Sequence, residues 1–321
     1  MYSRIAGTGS YLPKRILTNA ELASVVDTSD EWIRSRTGIE QRHIAAEGET
    51  TTDLAEHASR RALEDAGITA ADIDLICVGT TTPDLVFPNV GTLLQDRLGI
   101  RGCPAFSVEA ACTGFVYALS VADKFVRLGE SKCALVVGAE TLTRIVDWKD
   151  RGTCVLFADG AGAVILTPSP TPGIISTRLH SDGRYKDLLQ YPDGVSKGFH
   201  LVREGKAGVQ MKGNEVYKVA VNTLGHLVTE TLNANGIRTD QLDWLIPHQA
   251  NIRIIEAIAR RLDLPMERVI VTINTQGNTS AASVPLALDT GIRDGRIKRG
   301  QLLLLEAFGG GFTWGSALIR Y

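Results

Sequence analysis

The sequence lacks the features of a secreted, disulfide-bonded or membrane-spanning protein. Its five cysteines show no CxxC spacing, so they predict neither a structural zinc site nor a disulfide framework. No apolar run approaches the roughly 20 residues of a transmembrane helix, and the first residues carry no basic segment followed by an apolar one. We therefore expect a cytoplasmic location, no membrane association and no bound metal.

A strong excess of charge of either sign is also missing. The formal net charge is −2, which argues against a general nucleic-acid-binding protein. Apolar residues make up 44% of the chain and charged residues 22%, as in a globular protein. The length of 321 residues is enough for two ordinary domains.

What the sequence does contain is an internal repeat. Residues 67–76 resemble residues 236–245, an offset of 236 − 67 = 169, and each copy follows an amphipathic helix. The same offset aligns Leu135 and Val136 with two leucines of the second half. A repeat of this kind predicts two halves, 1–170 and 171–321, built on one helix–strand plan. Helices that alternate with buried strands predict the α/β class.

Three local signals refine this plan. Asp53 followed by Glu56 predicts the start of a helix, because this spacing is typical of a capping box. The segment 167–173 contains three prolines and predicts the linker between the halves. The segment 178–215 has no counterpart at the same place in the first half, so we expect a loop region or cap there.

Cys112 stands among small residues between a predicted strand, 103–108, and an apolar helix. A thiol at a strand-to-helix turn faces the positive end of the helix dipole and free backbone N–H groups. This position predicts a lowered thiol pKa and a nucleophilic role. The alternative is a buried cysteine of the core, which is common in folded proteins.

The repeat connects Cys112 with two other polar side chains. Adding 169 to 112 gives Ala281, so the two helix starts are predicted to meet at a pseudo-twofold axis. Asn278 precedes the second helix, and His248 follows the buried strand that ends the repeat, at the edge where α/β sheets bind ligands. Asn278 alone could be a helix cap and His248 alone a strand-end histidine. Together with Cys112 they predict an active site.

Four stretches carry a resemblance to a known family. They are EAACTGF at 109–115, PHQAN at 247–251, GNTSAASVP at 277–285 and EAFGGGFTWGSALIRY at 306–321. In combination they resemble β-ketoacyl-ACP synthase III, the condensing enzyme that initiates type II fatty acid synthesis. The resemblance spans nearly the whole chain. It implies a thiolase-like, duplicated αβαβα fold with five layers, and a homodimer.

The resemblance also implies a reaction, in which a short acyl-CoA and malonyl-ACP give 3-oxoacyl-ACP, CoA and CO2. Cys112 would carry the acyl group, and the backbone N–H groups of Cys112 and Gly310 would form the oxyanion hole. His248 and Asn278 would donate to the enolate left by decarboxylation. Acetyl-CoA is the expected first donor, while other short straight or branched donors stay open. No cofactor is implied, because acyl-CoA is a substrate.

The same resemblance implies roles for further residues. These residue types fit the roles, because an indole can stack on a base and guanidinium groups can bind phosphates or an acidic carrier protein. The implied CoA-binding residues are Trp32, Arg36, Arg151 and Asn251. The implied contacts with acyl carrier protein are Gln249, Ala250, Asn251, Ile252 and Arg253. The implied acyl pocket consists of Leu142, Phe157, Leu189, Phe308 and, from the other subunit of a dimer, Phe87.

Several alternatives differ from this prediction at single positions. A thiolase would need a second catalytic cysteine near residues 308–312, where this chain has none. An elongating ketosynthase would have a histidine at the place of Asn278. Plant-type polyketide synthases share the Cys-His-Asn set, so the set does not exclude them. A specialised relative in secondary metabolism and a non-catalytic scaffold are the remaining hypotheses, and the intact set argues against the scaffold.

Overall fold

The computed structural model describes residues 1–321. The strands are β1 (Tyr2–Tyr11), β2 (Arg15–Thr18), β3 (Gln41–Ile44), β4 (Leu75–Gly79), β5 (Ala105–Val108), β6 (Ala134–Thr141), β7 (Asp159–Ser169), β8 (Ile174–Ser181), β9 (Leu189–Gln190), β10 (Gln210–Met211), β11 (Trp244–Pro247), β12 (Leu302–Gly309) and β13 (Thr313–Arg320). The helices are α1 (Asn19–Leu22), α2 (Asp30–Thr37), α3 (Thr51–Ala66), α4 (Val90–Arg97), α5 (Gly114–Leu128), α6 (Arg151–Cys154), α7 (His200–Arg203), α8 (Gly213–Ala234), α9 (Ile252–Arg261), α10 (Ile273–Gln276) and α11 (Ser283–Arg293).

Two mixed sheets repeat one strand order. The first sheet has the order β1-β7-β6-β4-β5, and the second has the order β8-β13-β12-β11. In each sheet the strand that ends the repeated segment, β4 or β11, runs parallel to its inner neighbour, β6 or β12. An isolated bridge between Leu245 and Val269 occupies the place that β5 holds in the first sheet. This repetition of order matches the duplication predicted from the 169-residue offset, while a domain boundary at residue 170 stays a prediction.

Five layers result from the way these sheets bury their two faces. Helices α5 and α11 lie between the sheets, where Leu119 and Leu288 share one core cluster with Val136 and Leu305. Helices α3 and α4 cover the outer face of the first sheet. Helices α8 and α9 cover the outer face of the second. The predicted αβαβα arrangement is confirmed, because each sheet needs apolar cover on both faces.

Three local predictions were wrong in detail. Helix α3 begins at Thr51, not Asp53, because the Thr50 hydroxyl accepts the Asp53 N–H while the Asp53 carboxylate accepts the Thr50 N–H. Strand β7 continues to Ser169, so part of the predicted linker is strand. Pro168 has no N–H to donate, and it is tolerated because β6 pairs with β7 only as far as Leu166. The predicted insertion 178–215 begins inside β8.

The two helix starts at the centre of the molecule have one backbone conformation. Each of α5 and α11 is preceded by a 3₁₀ turn, Ala111–Thr113 in one half and Ser280–Ala282 in the other. Ala111 has φ 46° and Ser280 has φ 49°, and their numbers differ by 169. Left-handed backbone is uncommon outside glycine, so the shared value is strong support for two copies of one element.

No helix in the structure is both long and apolar enough to cross a membrane.

We predict that Gly79→Ala destabilises the fold. A Cβ atom on Gly79 would overlap the Gly114 main chain and lie 2.6 Å from Phe115 N, so β4 and α5 would have to separate. Overpacking of this kind costs about 1–3 kcal/mol in free energy of unfolding, measurable by denaturant titration. Gly183→Ala is the matched control, since nothing lies within 4 Å of its added Cβ. Equal stability of the two variants would contradict the prediction.

Candidate active site

Cys112 lies in the first of the two central 3₁₀ turns, between β5 and α5, and its side chain is buried. The turn is tied to the second sheet. The Thr113 hydroxyl donates to the Thr313 carbonyl at 3.0 Å, and the Thr313 hydroxyl donates to the Ala110 carbonyl at 2.9 Å. The nucleophile predicted from the first half is therefore held by residues of the second half.

One short segment, residues 278–283, links the three predicted catalytic side chains. Asn278 is its first residue. The 3₁₀ turn that carries Ser280 packs against the turn that carries Cys112, and the Ser280 hydroxyl favours the charged form of the thiol. The hydroxyl of Ser283 lies 2.5 Å from Nδ1 of His248. The structure thus brings Cys112, His248 and Asn278 together around the start of α11, although their catalytic roles stay predictions.

His248 is fixed at the end of β11. Its backbone N–H donates to the Glu306 carbonyl at 2.8 Å. The Gln249 N–H donates to the Ser283 hydroxyl at 3.3 Å, which leaves the hydroxyl proton for Nδ1 of His248. This network favours the tautomer that carries its proton on Nε2. Burial lowers the pKa of His248 to about 3, so the ring is neutral at physiological pH.

Asn278 is held by its backbone and by one side of its amide. Its N–H donates to the Leu156 carbonyl and its carbonyl accepts the Ala158 N–H, both at 2.9 Å. The side-chain Oδ1 accepts the Ser280 N–H at 2.9 Å. Because the oxygen of the amide is occupied in this way, the Nδ2 group is left as a hydrogen-bond donor. The arrangement fits a donor to a developing oxyanion.

The prediction that the Cys112 pKa is lowered is wrong for the free protein. Burial, with a smaller contribution from the Glu140 carboxyl, raises the pKa of this thiol to about 12. The Ser280 hydroxyl lowers the pKa, but its effect does not offset the loss of water. The thiol is therefore protonated at neutral pH, and its attack on a thioester requires a group that takes the proton.

Gly309 is the glycine that packs against the backbone of the nucleophile. A Cβ atom on Gly309 would lie 2.6 Å from Cys112 N and 3.1 Å from Thr113 N. A Cβ on Gly310 would instead meet the Leu189 carbonyl at 3.0 Å. The close approach expected of this glycine run occurs one residue before Gly310, whose part in an oxyanion hole stays a prediction.

The residues predicted for CoA binding form one cluster on the surface. The guanidinium carbons of Arg36 and Arg151 lie 4.9 and 4.8 Å from the centre of the Trp32 ring. The Asn251 Nδ2 group donates to the Arg36 carbonyl at 3.0 Å. Two cations beside one half-buried indole suit an aromatic base with attached phosphates.

The residues predicted for carrier-protein contact divide into buried and accessible ones. Gln249 is only 1% exposed. Its Nε2 group donates to the Pro247 and Ile270 carbonyls, and its Oε1 atom accepts two backbone N–H groups. The prediction of a docking contact at Gln249 is therefore wrong, because its side chain holds the loop together inside the protein. Ala250, Asn251 and Ile252 are half-buried, and Arg253 is exposed while donating to the Ser35 carbonyl.

The predicted acyl-pocket residues lie in two neighbouring clusters. Leu142 and Phe157 are buried in one cluster, and Phe308 is buried in another beside Phe312. Leu189 contacts both clusters and so connects them. Phe87 is 84% exposed and belongs to neither cluster.

The structure adds three polar residues that the sequence reasoning did not single out. Ser280 and Ser283 could have been identified from the sequence, because both lie in the GNTSAASVP stretch. Glu140 was missed, since the only sign of it is one carboxylate in an apolar strand. Its hydrogen bonds with Thr82 and Ser280 join residues far apart in the chain and appear only in the tertiary structure.

Comparisons with known proteins agree with this geometry. The family model described as 3-oxoacyl-[acyl-carrier-protein (ACP)] synthase III matches residues 106–183. A second model, described as the C terminal part of the same family, matches residues 232–321. A β-ketoacyl-[acyl-carrier-protein] synthase III of Xanthomonas campestris pv. campestris is 67% identical over all of this chain and 99% of its own length.

Solved structures give the same result. The 3-oxoacyl-[acyl-carrier-protein] synthase III of Aquifex aeolicus VF5 is 46% identical with a TM-score of 0.94, covering 99% of this chain and all of its own. The priming β-ketosynthase of the R1128 polyketide pathway is 38% identical, also with a TM-score of 0.94, covering 99% of this chain and 96% of its own.

We predict that His248 does not titrate between pH 5 and pH 8. Burial places its folded-state pKa far below the unfolded value of about 6.5, so the unfolded chain binds the proton first. Stability contributed by the neutral ring is thus present above about pH 6.5 and is lost as the pH falls below it. Histidine ring NMR shifts measure the titration, and a midpoint above pH 5 for His248 would contradict the assignment.

Proposed function

Since the chain belongs to the 3-oxoacyl-[acyl-carrier-protein] synthase III family, we propose that it initiates fatty acid synthesis by a decarboxylating condensation. A short acyl-CoA, with acetyl-CoA as the first candidate, and malonyl-ACP give 3-oxoacyl-ACP, CoA and CO2. The observation that carries the proposal is the grouping of Cys112, His248 and Asn278 about residues 278–283. A thiol, a neutral imidazole and a free amide donor are the groups that this chemistry needs.

In the first half-reaction, the Cys112 sulfur attacks the acyl-CoA carbonyl and CoA leaves. The product is a thioester on Cys112, which keeps the acyl carbonyl electrophilic. Backbone N–H groups beside the thiol, at Cys112 and at the glycine run, would stabilise the tetrahedral oxyanion. The Trp32, Arg36 and Arg151 cluster would hold the nucleotide end of CoA.

In the second half-reaction, malonyl-ACP loses CO2 and the resulting enolate attacks the acyl-Cys112 carbonyl. His248 Nε2–H and Asn278 Nδ2 would both donate to the enolate oxygen. A neutral imidazole suits this task, because it stabilises negative charge by a hydrogen bond without having to lose a proton. The low pKa of His248 keeps the ring in that form. No resident cofactor is needed, because both substrates bring activated thioesters.

The partner and assembly follow from the same proposal. Acyl carrier protein would dock near Arg253 and the cluster around Trp32, with Gln249 excluded as a direct contact. A second copy of the chain would form a homodimer along β5, which is the open edge of the first sheet. Leu85, Val86 and Phe87 are exposed apolar residues that a partner would cover, which fits a pocket contribution from Phe87 across the interface. A cytoplasmic location is part of the proposal.

We predict that acetyl-CoA transfers its acetyl group to Cys112. The adduct is detected by mass spectrometry of the peptide that carries Cys112, and malonyl-ACP should discharge it with release of CO2. Cys112→Ser should abolish condensation, because a hydroxyl is a much weaker nucleophile than a thiolate. Absence of any adduct would refute the covalent mechanism. Discharge only by another acceptor would favour a role like that of the polyketide-priming relative.

We predict that His248→Ala and Asn278→Ala impair decarboxylation more than acylation. Each change removes one donor to the enolate oxygen, and the loss of such a donor typically slows a reaction by about 10²–10³. Release of CO2 from malonyl-ACP and the rate of Cys112 acetylation are measured separately for each variant. Equal losses in both half-reactions would argue against the assigned roles.

A further inference from the structure

Arg42 is a fully buried arginine on β3, and the reaction described above gives it no task. Its hydrogen-bond partners are neutral oxygens, and no carboxylate pairs with it. Arginine is almost never buried completely unless it is paired. Burial lowers its pKa only to about 10, so the guanidinium group is charged at neutral pH. A buried cation held in this way calls for an explanation, and its contacts supply one.

The guanidinium group of Arg42 connects segments that are far apart in the chain. Nη1 donates to Oδ1 of Asn19 at 2.8 Å and to the Leu17 carbonyl at 3.3 Å. Nη2 donates to the Val155 carbonyl at 2.7 Å. The Asn19 amide is itself fixed, because its Nδ2 group donates to the Ile39 carbonyl at 2.8 Å. One side of the guanidinium is therefore anchored, and the other side holds Val155.

Val155 precedes the segment that holds Asn278. The Leu156 carbonyl accepts the Asn278 N–H, and the Ala158 N–H donates to the Asn278 carbonyl, both at 2.9 Å. These two bonds form an isolated parallel bridge between Phe157 and Asn278. The backbone of Asn278 is thus placed by residues 155–158, whose first carbonyl is held by Arg42.

The stem of the Arg42 side chain contacts the other partner of this bridge. Gly277, the residue before Asn278, has φ 67°. A Cβ atom on Gly277 would lie 3.2 Å from the Arg42 Cβ and 3.0 Å from the Ala158 Cβ. Arg42 therefore packs against the chain that carries Asn278 and also holds the chain to which Asn278 is bonded.

We propose that Arg42 positions the Asn278 amide for the decarboxylation of malonyl-ACP. This inference rests on the proposed role of Asn278 as a donor to the enolate oxygen. Arg42 is a positioning residue, because it acts on Asn278 through residues 155–158 and through Gly277. A displacement of about 1 Å, caused by a change away from the reacting atoms, can slow a reaction about 100-fold. A donor that has to meet a developing charge is sensitive to such a displacement.

The nucleophile and the imidazole are held by contacts that do not involve Arg42. The Cys112 turn is tied to the second sheet by the hydroxyls of Thr113 and Thr313. His248 is held by the Ser283 hydroxyl and by the backbone of β12. Loss of the guanidinium group should therefore disturb the half-reaction that uses Asn278 more than the acylation of Cys112.

The test replaces Arg42 and follows the two half-reactions separately. Arg42→Met keeps an apolar stem beside Gly277 and removes the guanidinium group. Release of CO2 from malonyl-ACP should fall about 10- to 100-fold, while acetylation of Cys112 at saturating acetyl-CoA should change less than about threefold. A purely structural role would lower stability and both rates together, so the ratio of the two rates is the decisive measurement.

Two further variants make the test specific. Arg42→Lys keeps the charge but not the planar fork that reaches Asn19 and Val155 together, so it should restore only part of the lost CO2 release. It decides the matter if Arg42→Met fails to fold, since its CO2 release should still fall more than its acetylation. Arg299→Met is the matched control, because Arg299 also donates to two backbone carbonyls, those of Ile5 and Ala6, and should leave the ratio unchanged.

A double variant shows whether Arg42 acts through Asn278. In the Asn278→Ala background, Arg42→Met should cause no further loss of CO2 release, because the amide that Arg42 positions is already absent. A further loss as large as that in the unaltered protein, or equal losses in both half-reactions of Arg42→Met, would overturn the inference and leave the proposed function standing. If Asn278→Ala alone releases CO2 at the unaltered rate, the proposed role of Asn278 fails, and this inference with it.

A crystal structure of Arg42→Met gives a readout that does not depend on activity. Residues 155–158 and the Asn278 amide should be displaced relative to the unaltered protein, whereas His248 and the Cys112 turn should keep their places. An Asn278 amide that stays in its original position would refute the positioning role.

Discussion

The contact between the two central 3₁₀ turns is the constraint on which the rest of the structure depends. Ala111–Thr113 and Ser280–Ala282 come from the two halves of a repeat, and both turns use one left-handed residue at the same relative position. Small residues make the contact possible: a Cβ on Gly114 would already lie 3.3 Å from the Ala281 Cβ. Larger side chains would separate the halves, and with them the thiol from the polar groups that surround it.

Burial at this contact determines the electrostatics of the site. The same loss of water raises the pKa of Cys112 and lowers that of His248, so both side chains are neutral at physiological pH. Neutral groups cost less to bury than an ion pair would, which suits a centre enclosed by two sheets and two helices. It also means that charge must be created during the reaction, and hydrogen-bond donors and a proton acceptor have to be in place beforehand.

Much of the site could be read from residue types and their spacing. Cys112 and Asn278 were predicted because the 169-residue repeat makes their helix starts equivalent, and His248 because it follows the buried strand of the second half; the family resemblance supplied their roles. The structure brings the three residues together. Gln249 was misassigned because a motif does not show which of its side chains points inward. Glu140 was missed because its significance comes from Ser280, a neighbour 140 residues away in the chain. The pKa of Cys112 was predicted in the wrong direction because the helix dipole is visible in a sequence, whereas the depth of burial is not.

The sequence by itself determined the duplicated α/β plan and the identity of the three central polar residues, since these follow from periodicity, from the repeat offset and from the four motif stretches. Only the tertiary structure decided which glycine touches the nucleophile, which amide of the 249–251 stretch is buried, and which way the thiol pKa moves. Those outcomes depend on distances between residues far apart in the chain and on how much water remains near them. Neither quantity has a local signature, because both arise only when the two halves close on each other.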